Sequence, residues 1–493
     1  MTSASTDRNG GLHLPGLALL LLVAIFAGLF FQHRLFMLVN DDFTYVTSAT
    51  LWPLYTPYTE LPFIQMPLVL WVHATVAALA GAANAYQAIS LFNAALAFAA
   101  CAGLAFLAAG KKPLSLLVFL ALIASPPVLM TAWATSNHAL QLALAVALAT
   151  LLLKRRPEEP GAGLAVGIVL GLLLSAKLNS LPFGLPVVVW LWRSPLRSWI
   201  IVSLATLAAL APALATILPR LQDFIFDTMT VIFVSNTYRG FTWANFPPAF
   251  AKLLGQAVFS PFMALLALCA VFSKPVGRVN PILAALLVAG FVAALIPGVA
   301  FHYHLALFEA MLALALGYTL KNSSLPERFH LLALPVLALA CFFAFQTYLS
   351  QPVFRSGETR FGVVAETSAA YLVALEQAKA SHALCASGIF SDAALPALGG
   401  PLPLVAASAG GPFLIRLYDQ QDKVPPHLRH FFDAASILDG KTALLTGYHY
   451  GLAFEPVLVA TAQAKGYRAM PLGMHFAYKD RHDWTLWLPP CPG

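Results

Sequence analysis

Residues 154–193 read KRRPEEPGAGLAVGIVLGLLLSAKLNSLPFGLPVVVWLWR, and this stretch decides the fold class. Between Lys154-Arg155-Arg156 and Arg193 lie two apolar runs, Ala162–Leu178 and Leu181–Trp192, which meet at Asn179-Ser180. Lys and Arg accumulate on the cytoplasmic side of membrane spans. Both basic ends therefore face the cytoplasm, and the chain crosses outward and back between them. Lys177 and Asn179 then stand at the outer boundary. Gly163, Gly167 and Gly171 recur at every fourth position of the first run. That spacing lets a second helix approach closely and carries no chemistry.

Working outward, the pattern repeats. Further apolar runs of spanning character occupy Leu12–Phe31, Tyr86–Ala109, Pro113–Ala132, Ala139–Leu153, Trp199–Leu218, Leu253–Phe272, Pro281–Ala300, Leu305–Leu320 and Leu331–Leu349, so that about eleven transmembrane helices are expected from length and apolar content. Lys111-Lys112, Arg193 with Arg197, Lys274 with Arg278, and Lys321 with Arg328 fall in connections that alternate around the Lys154 cluster. All can be cytoplasmic together, which leaves the intervening connections and everything after Leu349 outside. Composition agrees, with 59% of the 493 residues hydrophobic and 10% charged. A soluble domain carries roughly 25% charged residues. The net charge of +7 resides in clusters that orient spans, which argues against nucleic acid as a partner. Leu12–Phe31 is too long for the apolar core of a secretory signal, lacks a small-residue cleavage site after it, and reads as an anchoring helix.

Ile64–Ala80 divides two topologies. It is apolar enough to cross, yet carries Gln65, Pro67 and His73. If it crosses, Asp41-Asp42 face the cytoplasm; if it lies along the outer face, they stand outside. Hydropathy alone leaves both open.

After Leu349 the composition changes. Residues 350–493 contain no membrane-length apolar run. Ala365–Ala380 has helical periodicity, Lys441–Thr446 before Gly447 reads as a buried strand, and Phe454–Lys465 reads as a helix stopped by Gly466. The expectation is a transmembrane domain over residues 1–349, with an outer loop at 32–85, followed by a soluble extracytoplasmic α/β domain over residues 350–493. Cys385 and Cys491 lie in that second domain. In an oxidising compartment they can pair, and the sequence leaves a disulfide and two free buried thiols equally open.

The residues with chemical potential cluster near the outer boundary. Asn40-Asp41-Asp42-Phe43-Thr44-Tyr45 places two carboxylates beside the first helix. Carboxylates there are costly to desolvate, so they serve as a hydrated helix cap, as a general base, or as a metal ligand. Glu60-Leu61-Pro62 and Gln65-Met66-Pro67-Leu68-Val69-Leu70-Trp71 follow. Taken together, the acidic pair, the later acid and the Pro-containing run resemble the GT-C superfamily of membrane glycosyltransferases, in particular the branch of protein O-mannosyltransferases and the lipid A aminoarabinose transferase. Met66 and Leu70 depart from that branch's Pro-Pro-Leu-x-Tyr-Trp-like pattern.

The resemblance implies that the acidic loop is outside and that Ile64–Ala80 leads along the outer face without crossing. It implies transfer of a sugar from a polyprenyl-phosphate donor to a hydroxyl of a glycan, lipid or protein acceptor, with inversion and with Asp41 or Asp42 as base. Gly171–Asn179 looks like a Gly-Leu-rich helix ending in a lysine at the outer boundary. Lys177, Arg239, His302 and His304 are then the cations for the donor phosphate, although a lone lysine beside an apolar helix also snorkels to the interface. Glu60, His138, Tyr238 and Tyr303 are candidate substrate contacts. Asn137-His138 stand where the family often has an acid, so no metal site is assigned; a divalent metal stays open as a cofactor. A transporter, which would need interrupted helices and repeat symmetry, and a non-catalytic scaffold or receptor are the rival readings. Plasma-membrane residence with the C-terminal domain outside follows from the charge pattern.

Overall fold

The computed structural model describes residues 40–52, 54–81, 84–110, 113–123, 125–231, 280–297, 302–322, 360–391, 402–405, 407–408, 418–447, 454–476 and 482–491, with the single positions 247 and 251. Its helices are α1 (Asn40–Leu51), α2 (Pro67–Ala80), α3 (Ala85–Ala109), α4 (Pro113–Ile123), α5 (Pro126–Trp133), α6 (His138–Lys154), α7 (Ala162–Ala176), α8 (Gly184–Leu191), α9 (Leu196–Ile217), α10 (Pro281–Leu295) and α11 (Ala306–Lys321). Ala85–Ala109, Leu196–Thr230 and Tyr303–Lys321 are each long and apolar enough to cross a membrane, and shorter apolar helices accompany them. The spans expected at Leu12–Phe31, Leu253–Phe272 and Leu331–Leu349 lie outside the described residues.

Proline accounts for two departures from the expected spans. Pro113–Ala132 is two helices, α4 and α5, because Pro126 and Pro127 cannot donate into a continuing ladder and disfavour helical backbone just before them. Past α7 the chain leaves helix at Lys177 (φ −160°, ψ 132°) and winds through the 3₁₀ turn Leu178–Phe183, which contains Pro182, before α8 begins. The helix expected to end at Leu218 instead continues to Thr230 through a 3₁₀ turn at Leu218–Arg220 and a π turn at Phe226–Thr230.

The glycine row of α7 is a packing surface, as its spacing implies. A Cβ on Gly167 would lie 2.5 Å from the Val202 carbonyl oxygen and 2.6 Å from Ala205 Cβ. On Gly171 it would lie 2.5 Å from the Thr206 carbonyl oxygen and 2.7 Å from Ala209 Cβ. Backbone is the obstacle at both positions, so nothing flexible can give way. Gly171→Leu is expected to separate α7 from α9 at a cost of about 1–3 kcal/mol. A thermal melt of the purified protein measures this, and an unchanged melting temperature would refute the packing.

α2 is 14 residues long, close to the 15 of α7 and of α10, so its packing and not its length separates it from the crossing helices. Met66, Val69 and Leu70 at its start pack with Ala213, Ile217 and Phe224 near the end of α9. Ala74 and Ala77 pack with Ala85, Tyr86 and Ile89 at the start of α3. Those are the ends that the basic clusters assign to the outer side, so α2 lies against one end of the bundle.

The C-terminal part is α/β. Helix α12 (Arg360–Ala380) packs on a four-stranded sheet of order β1-β2-β4-β3, made of Gly388–Ser391, Thr442–Thr446, His482–Leu488 and Arg468–Phe476 respectively. β1 and β2 are parallel, while β4 runs antiparallel to both β2 and β3. Helix α13 (Phe454–Ala464) ends before Gly466, whose φ of +72° is the left-handed stop that glycine supplies. Cys385 and Cys491 form a disulfide with Cα atoms 5.3 Å apart, which ties the connection between α12 and β1 to the chain after β4. One buried apolar cluster joins Val46, Ala49 and Leu51 of α1 and Ala74 and Ala77 of α2 to Tyr371 and Leu375 of α12 and to Ile389, Leu445 and Trp484 of the sheet. The helix that begins with the acidic pair is thereby packed against the C-terminal part.

Candidate functional site

The extended conformation of Lys177 ends α7 and turns its side chain into the bundle, where it is buried. Its Nζ donates to His138 Nε2 at 2.5 Å. An ammonium can only donate, so Nε2 is the accepting nitrogen, and Nδ1–H donates to Ser136 Oγ at 2.9 Å. His138 opens α6. Its ring meets Tyr303 edge-on at 4.5 Å between centroids and stacks on His304 at 5.7 Å, and those two rings are 4.7 Å apart. The residues contributed by α6, α7 and the 3₁₀ turn His302–Leu305 thus converge, bringing together the expected Lys177, His138, Tyr303 and His304. Lys177 does not run out to an interface as a snorkelling lysine would.

A polar layer surrounds this group. Asn137 Nδ2 donates to Gln65 Oε1 at 2.9 Å and to the Ala176 carbonyl at 3.4 Å. Gln141 Nε2 donates to Asn179 Oδ1 and to Ser180 Oγ, both at 2.7 Å, while Asn179 Nδ2 donates to the Ala293 carbonyl at 3.0 Å. On the α2 side, Asn93 Nδ2 donates to the carbonyls of Ala134 and Ser136. Its Oδ1 must then accept, so His73 Nε2–H donates to it at 3.2 Å. Within this layer Asn137 Oδ1 and His73 Nδ1 lack a hydrogen-bond partner among the described residues.

The other expected residues fall elsewhere. Asp41 and Asp42 lie in the first turn of α1, and their side chains are outside the described residues, as is that of His302. Tyr238 and Arg239 lie wholly outside the described residues. Glu60 is exposed on the loop between α1 and α2, where the Thr56 N–H donates to it at 2.8 Å and, as the main cause, holds its carboxyl below the usual range. It borders a cavity of about 530 Å³ shared between this loop (Tyr55, Thr59) and the C-terminal part (His427, Phe431, Asp439). Among the described residues no group of three His, Cys, Asp or Glu side chains is arranged to hold a metal.

Several polar residues escaped the sequence reading. Asp223 receives Thr59 Oγ1–H at 3.0 Å and pairs with His427 Nε2 at 2.7 Å, and Asp227 receives the Phe63 N–H at 3.0 Å. Together they clamp the α1–α2 loop and the C-terminal part to the extension of α9. Glu309, buried in α11, hydrogen-bonds Ser125. Asp223 and Asp227 at i, i+4 and a lone Glu within an apolar run were the available signals.

Two solved structures share this architecture over nearly the whole chain. One is ArnT from Cupriavidus metallidurans in the apo state, with a TM-score of 0.59 and 13% identity over 95% of this chain and 97% of that one. The other is ArnT from the same organism bound to undecaprenyl phosphate, with a TM-score of 0.60 and 14% identity over 95% and 98%. This is an ArnT-like fold. The ArnT-like fold is polytopic and membrane-embedded. At such identity the likeness fixes the path of the chain and no side-chain role. No protein-family model matches the chain, and no curated protein matches it by sequence.

Proposed function

We propose that the chain is a membrane glycosyltransferase that moves a sugar from a polyprenyl-phosphate carrier to an acceptor hydroxyl on the outer face of the membrane. The observation that carries this reading is the buried Lys177, held by His138 beside Tyr303 and His304. A buried cation with its donors fixed in advance suits an anionic headgroup, and the ArnT structure of like fold is one bound to undecaprenyl phosphate.

In the reaction, the acceptor oxygen attacks the anomeric carbon as the bond from that carbon to the phosphate oxygen breaks. The acceptor proton passes to Asp41 or Asp42, and the electron pair leaves with the carrier phosphate. A phosphate leaving group is already a weak base and needs positive charge more than a proton donor, unlike the alcohol released by a glycosidase. Lys177 supplies that charge, with Arg239, His302 and His304 as further contacts to the phosphate. Glu60, His138, Tyr238 and Tyr303 contact the substrates. Attack opposite the departing phosphate inverts the anomeric centre. The C-terminal domain lies outside and covers the acceptor side, and the protein resides in the plasma membrane.

The purified protein in lipid nanodiscs is expected to release undecaprenyl phosphate from at least one undecaprenyl-phosphate sugar when a membrane-lipid extract is supplied as acceptor. Release from none of a pentose, hexose and amino-sugar series would sink the reading. Solute flux into liposomes without any glycosyl donor would replace it with a transporter.

A further inference from the structure

Beside Lys177, one buried atom has no role in the proposed transfer. Asn137 is fully buried, and its Nδ2 faces both Gln65 Oε1 and the Ala176 carbonyl. A carbonyl oxygen only accepts, so the Ala176 contact fixes which end of the amide points toward it. Asn137 Oδ1 therefore points the other way, and among the described residues it has no hydrogen-bond partner. A buried acceptor left unpaired is unfavourable, and its cost disappears when something brings a donor to it.

The atom is held in place from two sides. Gln65, which accepts from Asn137, has its own backbone carbonyl fixed by Tyr58 Oη at 2.9 Å. Tyr58 is fully buried, adopts φ +71°, and packs edge-on against Phe224 at 5.2 Å. A non-glycine residue keeps such a backbone only where its surroundings impose it. Asn137 also directly precedes His138, whose Nε2 receives Lys177 Nζ. Asn137 is thus the chain neighbour of the imidazole that holds the cation assigned to the carrier phosphate, and its Nδ2 meets the carbonyl of Ala176, the residue before that cation; the sugar is the group attached to that phosphate.

We infer that Asn137 Oδ1 receives a hydrogen-bond donor of the carrier-linked sugar, a hydroxyl or an ammonium, and so distinguishes the sugar-bearing carrier from the bare carrier phosphate. Gln65 is its positioning residue. The inference rests on the glycosyltransferase reading above and adds to it the residue that recognises the sugar.

The test measures binding to the full-length protein in nanodiscs of bare undecaprenyl phosphate and of undecaprenyl-phosphate pentose, hexose and amino-sugar. Wild type should bind at least one sugar-bearing carrier more tightly than the bare one. Asn137→Ala should weaken that binding by roughly tenfold, as expected for one hydrogen bond, and leave the bare carrier unaffected. Gln65→Leu should give a smaller loss of the same selective kind, and it decides the matter if Asn137→Ala fails to fold. Lys177→Met should weaken both carriers alike. If folded Asn137 and Gln65 variants weaken neither carrier, or both equally, Oδ1 holds a water and the inference is overturned. Equal binding of bare and sugar-bearing carriers by wild type overturns it too. If wild type binds no carrier at all, the transferase reading fails and takes this inference with it.

Discussion

Lys177→Met is expected to lower transfer by about 100- to 1,000-fold, the range seen when one fixed donor to a developing negative charge is removed. Methionine keeps the unbranched stem and its packing, so the substitution isolates the ammonium. His138 loses the group that donates to its Nε2, but its Nδ1–H still reaches Ser136 and its ring still packs on Tyr303 and His304. The fold should therefore survive, which a thermal melt and a monodisperse elution profile would establish. Lys177→Arg is not expected to restore activity, because a planar guanidinium presents its donors differently from a compact ammonium. Transfer by Lys177→Met within a few-fold of wild type would mean that the lysine only terminates α7, and the leaving group's charge would need another source.

How far the sequence led differs between the membrane part and the site. The Gly163-Gly167-Gly171 row announces helix contact through spacing alone, since three small residues on one face have few other uses. Lys177 stands out because a charge at the end of an apolar run demands a reason, and Gly466 ends α13 by the backbone freedom glycine provides. Other features depend on partners distant in the chain. Nothing local in Gln65 or Asn137 says that they meet across 72 positions. The break at Pro126 was visible as a Pro-Pro pair, but hydropathy summed over Pro113–Ala132 conceals it. In the sheet, β3 holds Pro471 and a Gly473 with φ +70°, both poor strand signals, and its pairing with β4 shifts register between Pro471 and His475. The irregularity takes in Gly473 while Pro471 stays paired with Thr485, so tertiary pairing overrides propensity there.

Replacing Asp41 and Asp42 together by Asn is expected to reduce transfer by about 100- to 10,000-fold, the usual worth of a positioned general base. Asparagine caps a helix N-terminus as well as aspartate does, so the pair of substitutions preserves the structural role that an acidic pair at the start of α1 can play and removes only its basicity. Melting temperature should hardly move. Single substitutions then divide the role, the base being whichever carboxylate cannot be spared. The assignment also has a geometric condition, since the base must share a compartment with the C-terminal domain. α1 packs against that domain through Val46, Ala49 and Leu51, and Leu54 just beyond it is 70% exposed. With Cys101, Cys269 and Cys341 replaced, reporter cysteines at Leu54 and Ser387 should both react with an impermeant thiol reagent on intact cells. Labelling at Ser387 alone would put the acidic pair on the cytoplasmic side and remove it from the reaction. If both sites label but the double Asn variant transfers normally, the loop is outside and the base is another residue.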